Sequence, residues 1–228
     1  MKQNGKKQLF FGVVCVVAFM IWTYLVQTVD VKPIGQNGTD VGFASINRLF
    51  HEVTGVHMAI YNITDWLGLM PFLTCMLFGV LGFVQLVKRK SIFKVDYDIL
   101  LLGGYYVIVI AGYLVFEVIP INYRPILIEG IMEVSYPSST TLLVLSVMPT
   151  LIFQANRRLK NVMMKKIIQI VTILFSAFMV IGRMISGVHW LTDIVGSVLF
   201  SVGVFTIYKE IVLKTWRFKW NFMKNCKN

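Results

Sequence analysis

The chain has 228 residues, 57% of them hydrophobic and only 14% charged, with a formal net charge of +11. A mean hydropathy of +0.71 excludes an ordinary soluble domain and places the chain in the membrane class, at a length that suits one domain. Nucleic-acid binding is also excluded as the reason for the charge, because the basic residues are divided among the connections between apolar runs and no nucleic-acid fold signature accompanies them.

A helix that crosses a bilayer needs roughly 20 mostly apolar residues. Six segments qualify, at about 9–27, 66–87, 98–118, 138–154, 167–185 and 191–212. The expected fold is therefore all-α, a polytopic six-transmembrane-helix bundle. The first span follows Lys2, Lys6 and Lys7, as a signal peptide would. Its apolar stretch is longer than a signal core and no small-residue cleavage site follows, so it reads as a retained helix. The segment 28–65 opens with the turn-rich DVKPIGQNGTD. It continues with Ile46, Leu49, Phe50, Val53, Val56 and Ile60 near helical spacing, which predicts an amphipathic helix on the outer surface, with His51 and His57 as surface histidines. Pro149 in the fourth span removes a backbone donor and predicts a kink.

Lysine and arginine set the orientation. With the N-terminus inside, all but Lys32, Arg48, Arg124 and Arg183 of the 22 basic residues fall on one side, as the positive-inside rule requires of a chain with both termini cytoplasmic. Cys15 and Cys75 lie within spans and Cys226 near the C-terminus, with no metal-ligand spacing, so no metal or cofactor is expected. The expected organisation is a first transmembrane helix plus outer loop over 1–65, a helical-bundle core over 66–212 and a basic cytoplasmic tail over 213–228.

The polar residues that topology does not explain gather at the outer ends of spans three to six. Arg124 precedes Pro125, and Pro137 precedes Ser138, Ser139, Thr140 and Thr141 at the start of the fourth helix. That is a helix-start signal, and it is also an anion site. The first turn of a helix offers free N–H groups and the positive end of its dipole, and an arginine binds phosphate through two parallel hydrogen bonds. Arg183 closes the fifth span, while His189 and Asp193 flank the start of the sixth. Four residues apart, they share a helical face. A carboxylate there can hold one ring nitrogen and leave the other free to attack, with Arg183 neutralising the charge that builds on the attacked group. Taken singly, Arg183 also reads as a snorkelling residue, His189 as interfacial and Asp193 as a helix cap. Charged groups together at span ends are by default a functional hypothesis.

Arg183-MISGV-His189-WLT-Asp193, Arg124-Pro125 and Pro137-Ser138 resemble the signature blocks of the type-2 phosphatidic acid phosphatase family, which shares its core with vanadium haloperoxidases. Those blocks are Lys-x6-Arg-Pro, Pro-Ser-Gly-His and Ser-Arg-x5-His-x3-Asp, and the likeness covers about 66–212. The third block fits in every spacing, with Gly182 in place of the leading serine. Two departures bear on the chemistry. The first-block lysine falls on Glu117, and the Gly-His of the second block falls on Ser139 and Thr140.

The resemblance implies a membrane lipid phosphatase of a bacterial cell membrane, with its site facing outside. It implies that His189 is the nucleophile and forms a phosphohistidine, that Asp193 orients it, and that Arg124, Arg183, Ser138, Ser139 and Thr140 hold the phosphate. The lysine and the histidine that protonates the leaving oxygen have no counterpart, which leaves Glu129 and Glu133 as candidate substitute acids. General acid catalysis is typically worth about 10²–10⁴ in rate, and a departing phosphate monoester needs it less than an alcohol does. The expected substrate is accordingly a lipid diphosphate such as a polyprenyl diphosphate. The alternatives are a phosphoryl transferase and a catalytically impaired member that binds lipid phosphate headgroups or partners.

Overall fold

In the computed structural model, residues 2–225 are described, with side chains over 5–217. Cys226 and Lys227 lie outside the described residues, as do the side chains of Lys2, Lys219 and Lys224. Among the described residues eight α-helices follow one another: α1 (Lys2–Thr28), α2 (Ala44–Thr54), α3 (Met58–Leu67), α4 (Leu69–Arg89), α5 (Tyr97–Val118), α6 (Ser139–Arg158), α7 (Val162–Ile185) and α8 (Leu191–Asn225). Among the described residues six stretches are long and apolar enough to cross a membrane: 5–28, 58–89, 97–118, 139–158, 162–185 and 191–217. The chain is an integral membrane protein. The second span starts earlier than its hydropathy predicts, because α3 runs almost directly into α4. The last helix continues through 213–225, so most of the expected tail is an extension of α8.

The amphipathic segment is not one helix. Gly55, at φ +67°, ends α2, and the chain turns before α3 begins. On α2, Ile46, Leu49 and Val53 remain exposed while Ala44 and Asn47 are buried, the pattern of a helix lying in an interface. Asn47 bolts α2 to the start of α8: its amide donates to Thr192 Oγ1 at 3.0 Å, and its Oδ1 accepts from the Thr192 N–H at 3.3 Å. Ile60 belongs to α3 and leads into the second span instead of the surface helix.

The central helix is α6, packed between α7 and α8. Small hydroxylated residues let α6 and α8 approach and satisfy each other's polar atoms, as membrane interiors require. Ser197 Oγ donates to the Ser138 carbonyl at 2.9 Å, Ser201 Oγ to the Leu142 carbonyl at 3.0 Å and Ser146 Oγ to Ser201 Oγ at 3.0 Å. The helix runs through Pro149 without interruption. On the other side of α8 lies α1. A Cβ at Gly203 would stand 3.0 Å from the Val16 amide nitrogen and 3.1 Å from the Gly12 carbonyl, so glycine is what permits this backbone contact. At the basic end of the bundle, Arg158 bonds both Asp96 and Asp98 at 3.1 and 2.9 Å, while Arg89 reaches Asp96 at 2.8 Å. These pairs tie α4, α5 and α6 together at the end opposite His189.

Candidate active site

The connection from α5 to α6 folds back on itself. Antiparallel bridges pair Tyr123 with Val134 and Ile128 with Ile131, and Glu129 and Gly130 form the tip, both with positive φ. This register sets Asn122 opposite Ser135 and Arg124 opposite Glu133, with backbone bonds of 3.0 Å at each pair. Trp190 Nε1 donates to the Tyr123 carbonyl at 2.8 Å, which fastens the hairpin to the entrance of α8.

At that entrance the carboxylate of Asp193 accepts three hydrogen bonds, from the Trp190 N–H (2.9 Å), Ser135 Oγ (2.5 Å) and Asn122 Nδ2 (3.2 Å). The first closes a turn, since an acid at the third helical position commonly reaches back to the N–H that precedes the helix. It also draws the carboxylate off His189. Asp193 stays within ion-pair range of the ring but holds it less closely than the spacing predicts. The His189 Nδ1 to Asp193 Oδ2 distance is 3.6 Å, while Ser135 Oγ stands 3.1 Å from Nδ1. With its own proton given to Asp193, Ser135 accepts from Nδ1–H. That fixes the tautomer and leaves the Nε2 lone pair free.

His189 is 3% exposed. Burial pushes its pKa down to about 4, the positive charges of Arg124 and Arg183 push the same way, and Asp193 opposes them. The ring is therefore a neutral base at ordinary pH. Its Nε2 has no partner within the protein, nor do Nε and Nη1 of Arg124 or Nε and Nη1 of Arg183, all of them buried. Buried polar atoms are nearly always satisfied, so the four unpartnered donor nitrogens of Arg124 and Arg183 suit an anion, and the Nε2 acceptor of His189 is a fifth unpartnered atom. Tyr61 of α3 lies between the arginines, its ring centroid 5.6 Å from the Arg124 guanidinium and 4.9 Å from that of Arg183. The N-terminus of α6 completes the surroundings. Ser138 Oγ bonds Thr141 Oγ1, the Ser138 N–H reaches the Asp193 carbonyl at 3.3 Å, and Arg183 Nη2 bonds Thr140 Oγ1. Ser139 opens the helix, where N–H groups have no intrahelical partner.

The structure brings together Arg124, Arg183, His189, Asp193, Ser138, Ser139 and Thr140. Glu133 pairs with Arg124 at 3.0 Å, and Glu129 stands exposed at the hairpin tip. Glu117 is exposed near the end of α5. Sequence reasoning missed four residues: Ser135 and Asn122, which hairpin register delivers, and Tyr61 and Asp65 from α3. Asp65 Oδ1 accepts from Arg183 Nη2 at 2.7 Å. A carboxylate at the edge of a span is costly, and that was the available signal for Asp65.

His51 and His57 lie outside this cluster. The ring of His51 packs 5.7 Å from that of Trp190, and burial lowers its pKa, while His57 bonds the Thr54 carbonyl at 2.9 Å.

The PAP2 superfamily model matches residues 119–217, the stretch that holds the hairpin, α6, α7 and most of α8. Among solved structures, the chain is similar to the first transmembrane PAP2-type phosphatidylglycerolphosphate phosphatase from Bacillus subtilis, with a TM-score of 0.64 at 20% identity, over 90% of this chain and 97% of that one. At that identity the likeness establishes the fold. No curated protein matches the chain.

Proposed function

From a chain whose residues 119–217 match the PAP2 superfamily model, we propose a lipid phosphatase that works through a phosphohistidine on His189 at the outer membrane face. The observation that carries this reading is the set of orphaned polar atoms. Buried N–H groups of Arg124 and Arg183 and the Nε2 of His189 all lack partners, and both arginines are close enough to act electrostatically on the His189 ring. A terminal phosphate gripped by both guanidinium groups and the first turn of α6 presents its phosphorus to Nε2. The lone pair attacks, the bond to the leaving oxygen breaks, and the ring becomes a phosphoimidazolium. Ser135 and Asp193 carry the charge that develops on Nδ1.

The leaving group decides the substrate. With Thr140 where the family has histidine, an alcohol has no evident proton donor on departure. A phosphate monoester departs as a stable anion. A lipid diphosphate with a polyprenyl chain is the favoured substrate, ahead of phosphatidic acid or phosphatidylglycerolphosphate. The outward orientation rests on the lysines and arginines at the far ends of the spans.

The test is phosphate release in detergent from a panel containing a prenyl diphosphate, phosphatidic acid and phosphatidylglycerolphosphate, by wild type and His189→Ala. Release from the diphosphate is expected to be fastest and to vanish in the variant. Faster cleavage of phosphatidic acid overturns the substrate assignment, and activity that survives in His189→Ala overturns the mechanism.

A further inference from the structure

A phosphohistidine enzyme runs two half-reactions. The first suits a good leaving group without acid help, but the second always needs water to attack the phosphorus, and water is a weak nucleophile until a base takes its proton. The position that holds histidine in the family is Thr140 here, and a threonine hydroxyl is no base at neutral pH.

Arg183 Nη2 donates to Thr140 Oγ1 and to Asp65 Oδ1. Two acceptors bonded to one nitrogen stand within about 5 Å of each other, so the carboxylate of Asp65 occupies the neighbourhood of the missing imidazole. The two ends of this bridge differ in exposure. Arg183 is 1% exposed and Asp65 is 57% exposed, so the bridge runs from the buried site to the surface near the start of the second span. Tyr61, one turn earlier on the same face of α3, packs against the guanidinium groups of both arginines.

The seating of α3 explains a further departure. At the leading serine of the third block this chain has Gly182, and a Cβ there would stand 2.7 Å from Thr64 Cγ2. Glycine lets α3 lie against α7 closely enough for its next residue, Asp65, to reach Arg183. At the end of α3, an added Cβ on Gly68 would meet Thr140 Cγ2 at 3.5 Å. The missing histidine, the missing serine and the added carboxylate are thus one contiguous rearrangement.

We propose that Asp65 is the general base for hydrolysis of the phosphoenzyme, an inference that rests on His189 being the nucleophile. One proton of the attacking water passes to the Asp65 carboxylate while the water oxygen bonds to phosphorus. The P–Nε2 bond breaks, and its electron pair returns to Nε2. Inorganic phosphate leaves, and Asp65 gives its proton to bulk water at the surface. Arg183 aligns the base and the phosphoryl group by holding both.

The test uses the full chain in detergent, with farnesyl diphosphate radiolabelled on its terminal phosphate. Asp65→Asn preserves the shape of the side chain and its acceptor oxygen for Arg183. This variant is expected to give a burst of farnesyl monophosphate equal to the enzyme concentration, then turnover at least 100-fold below wild type. Acid-labile protein label is expected to accumulate on His189. Thr140→His in the Asp65→Asn background is expected to recover turnover by 10-fold or more, by supplying a base at the family's position. Equal loss of burst and steady-state rate in Asp65→Asn would show that Asp65 only props Arg183, and unchanged turnover would show that it has no part. Either result overturns the proposal. Failure of the underlying reading appears elsewhere, as wild-type turnover that His189→Ala retains.

Discussion

His189 and Asp193 sit one helical turn apart yet share no direct hydrogen bond, because Nδ1 and Oδ2 are separated by 3.6 Å and Ser135 bonds to both. The proposed nucleophile is thus oriented by a residue from a different segment. Ser135→Ala is expected to slow phosphorylation of His189 about 10- to 100-fold, the equivalent of about 1.4–2.7 kcal/mol, with little change in KM. A stopped-flow measurement of the burst on a prenyl diphosphate reads that step alone. A purely packing role for Ser135 would instead lower the melting temperature and leave the burst rate of the folded fraction intact.

The buried ring of His189 links stability to pH. Its pKa is about 4 in the fold against 6.5 for a free histidine, so the unfolded chain takes up the proton first as pH falls. The contribution is complete above about pH 6.5 and declines as pH drops toward about 4. Melting temperature in detergent is expected to fall through that window in wild type, and His189→Gln is expected to flatten the slope. Identical slopes for the two proteins would rule out His189 as the titrating group.

Arg124 faces a choice of partners. Glu133 holds one of its nitrogens at 3.0 Å, with a side chain 40% exposed, and an incoming phosphate must share the guanidinium with it. An exposed ion pair is worth up to about 1 kcal/mol. Glu133→Gln is therefore expected to tighten inhibition by inorganic vanadate or phosphate about 3- to 10-fold. Weaker inhibition would mean that Glu133 positions Arg124 instead of competing for it.

Restoring the family's serine at position 182 is expected to do harm. Gly182→Ser places an atom within 2.7 Å of Thr64 Cγ2, and overpacking of this kind costs about 1–3 kcal/mol. Thr64→Ser removes the opposing methyl, so the double variant is expected to recover most of the lost melting temperature. Additive losses in the two single variants and the double would refute the contact.

Legibility followed distance along the chain. The Arg183, His189 and Asp193 spacing sits in one short run, and the six apolar spans are local as well, so both were readable. The role of Ser135 depended on which residue the hairpin sets opposite Asn122, a register no periodicity announces. Asp65 lies 118 positions from Arg183, and its arrival depends on the turn at Gly55, where apolar spacing alone suggested an unbroken helix. Spacing along one face also suggested that Asp193 would hold His189 directly. The competing demand of the Trp190 N–H moved the carboxylate away.

Two contacts of the first helix place a condition on biosynthesis. Trp22 Nε1 donates to the Thr192 carbonyl at 3.1 Å, and Thr23 Oγ1 shares a 2.7 Å hydrogen bond with Tyr136, each beside a residue that orients the nucleophile. Helix α1 therefore braces α8 at Thr192, and the seat of Asp193 beside the imidazole is not fixed until α8 has packed against α1. A growing chain whose α8 is not yet inserted already holds both partners of the Thr23–Tyr136 bond, but lacks the entrance of α8 that seats His189 and Asp193. Under the proposed mechanism, phosphoryl transfer therefore waits for the last helix.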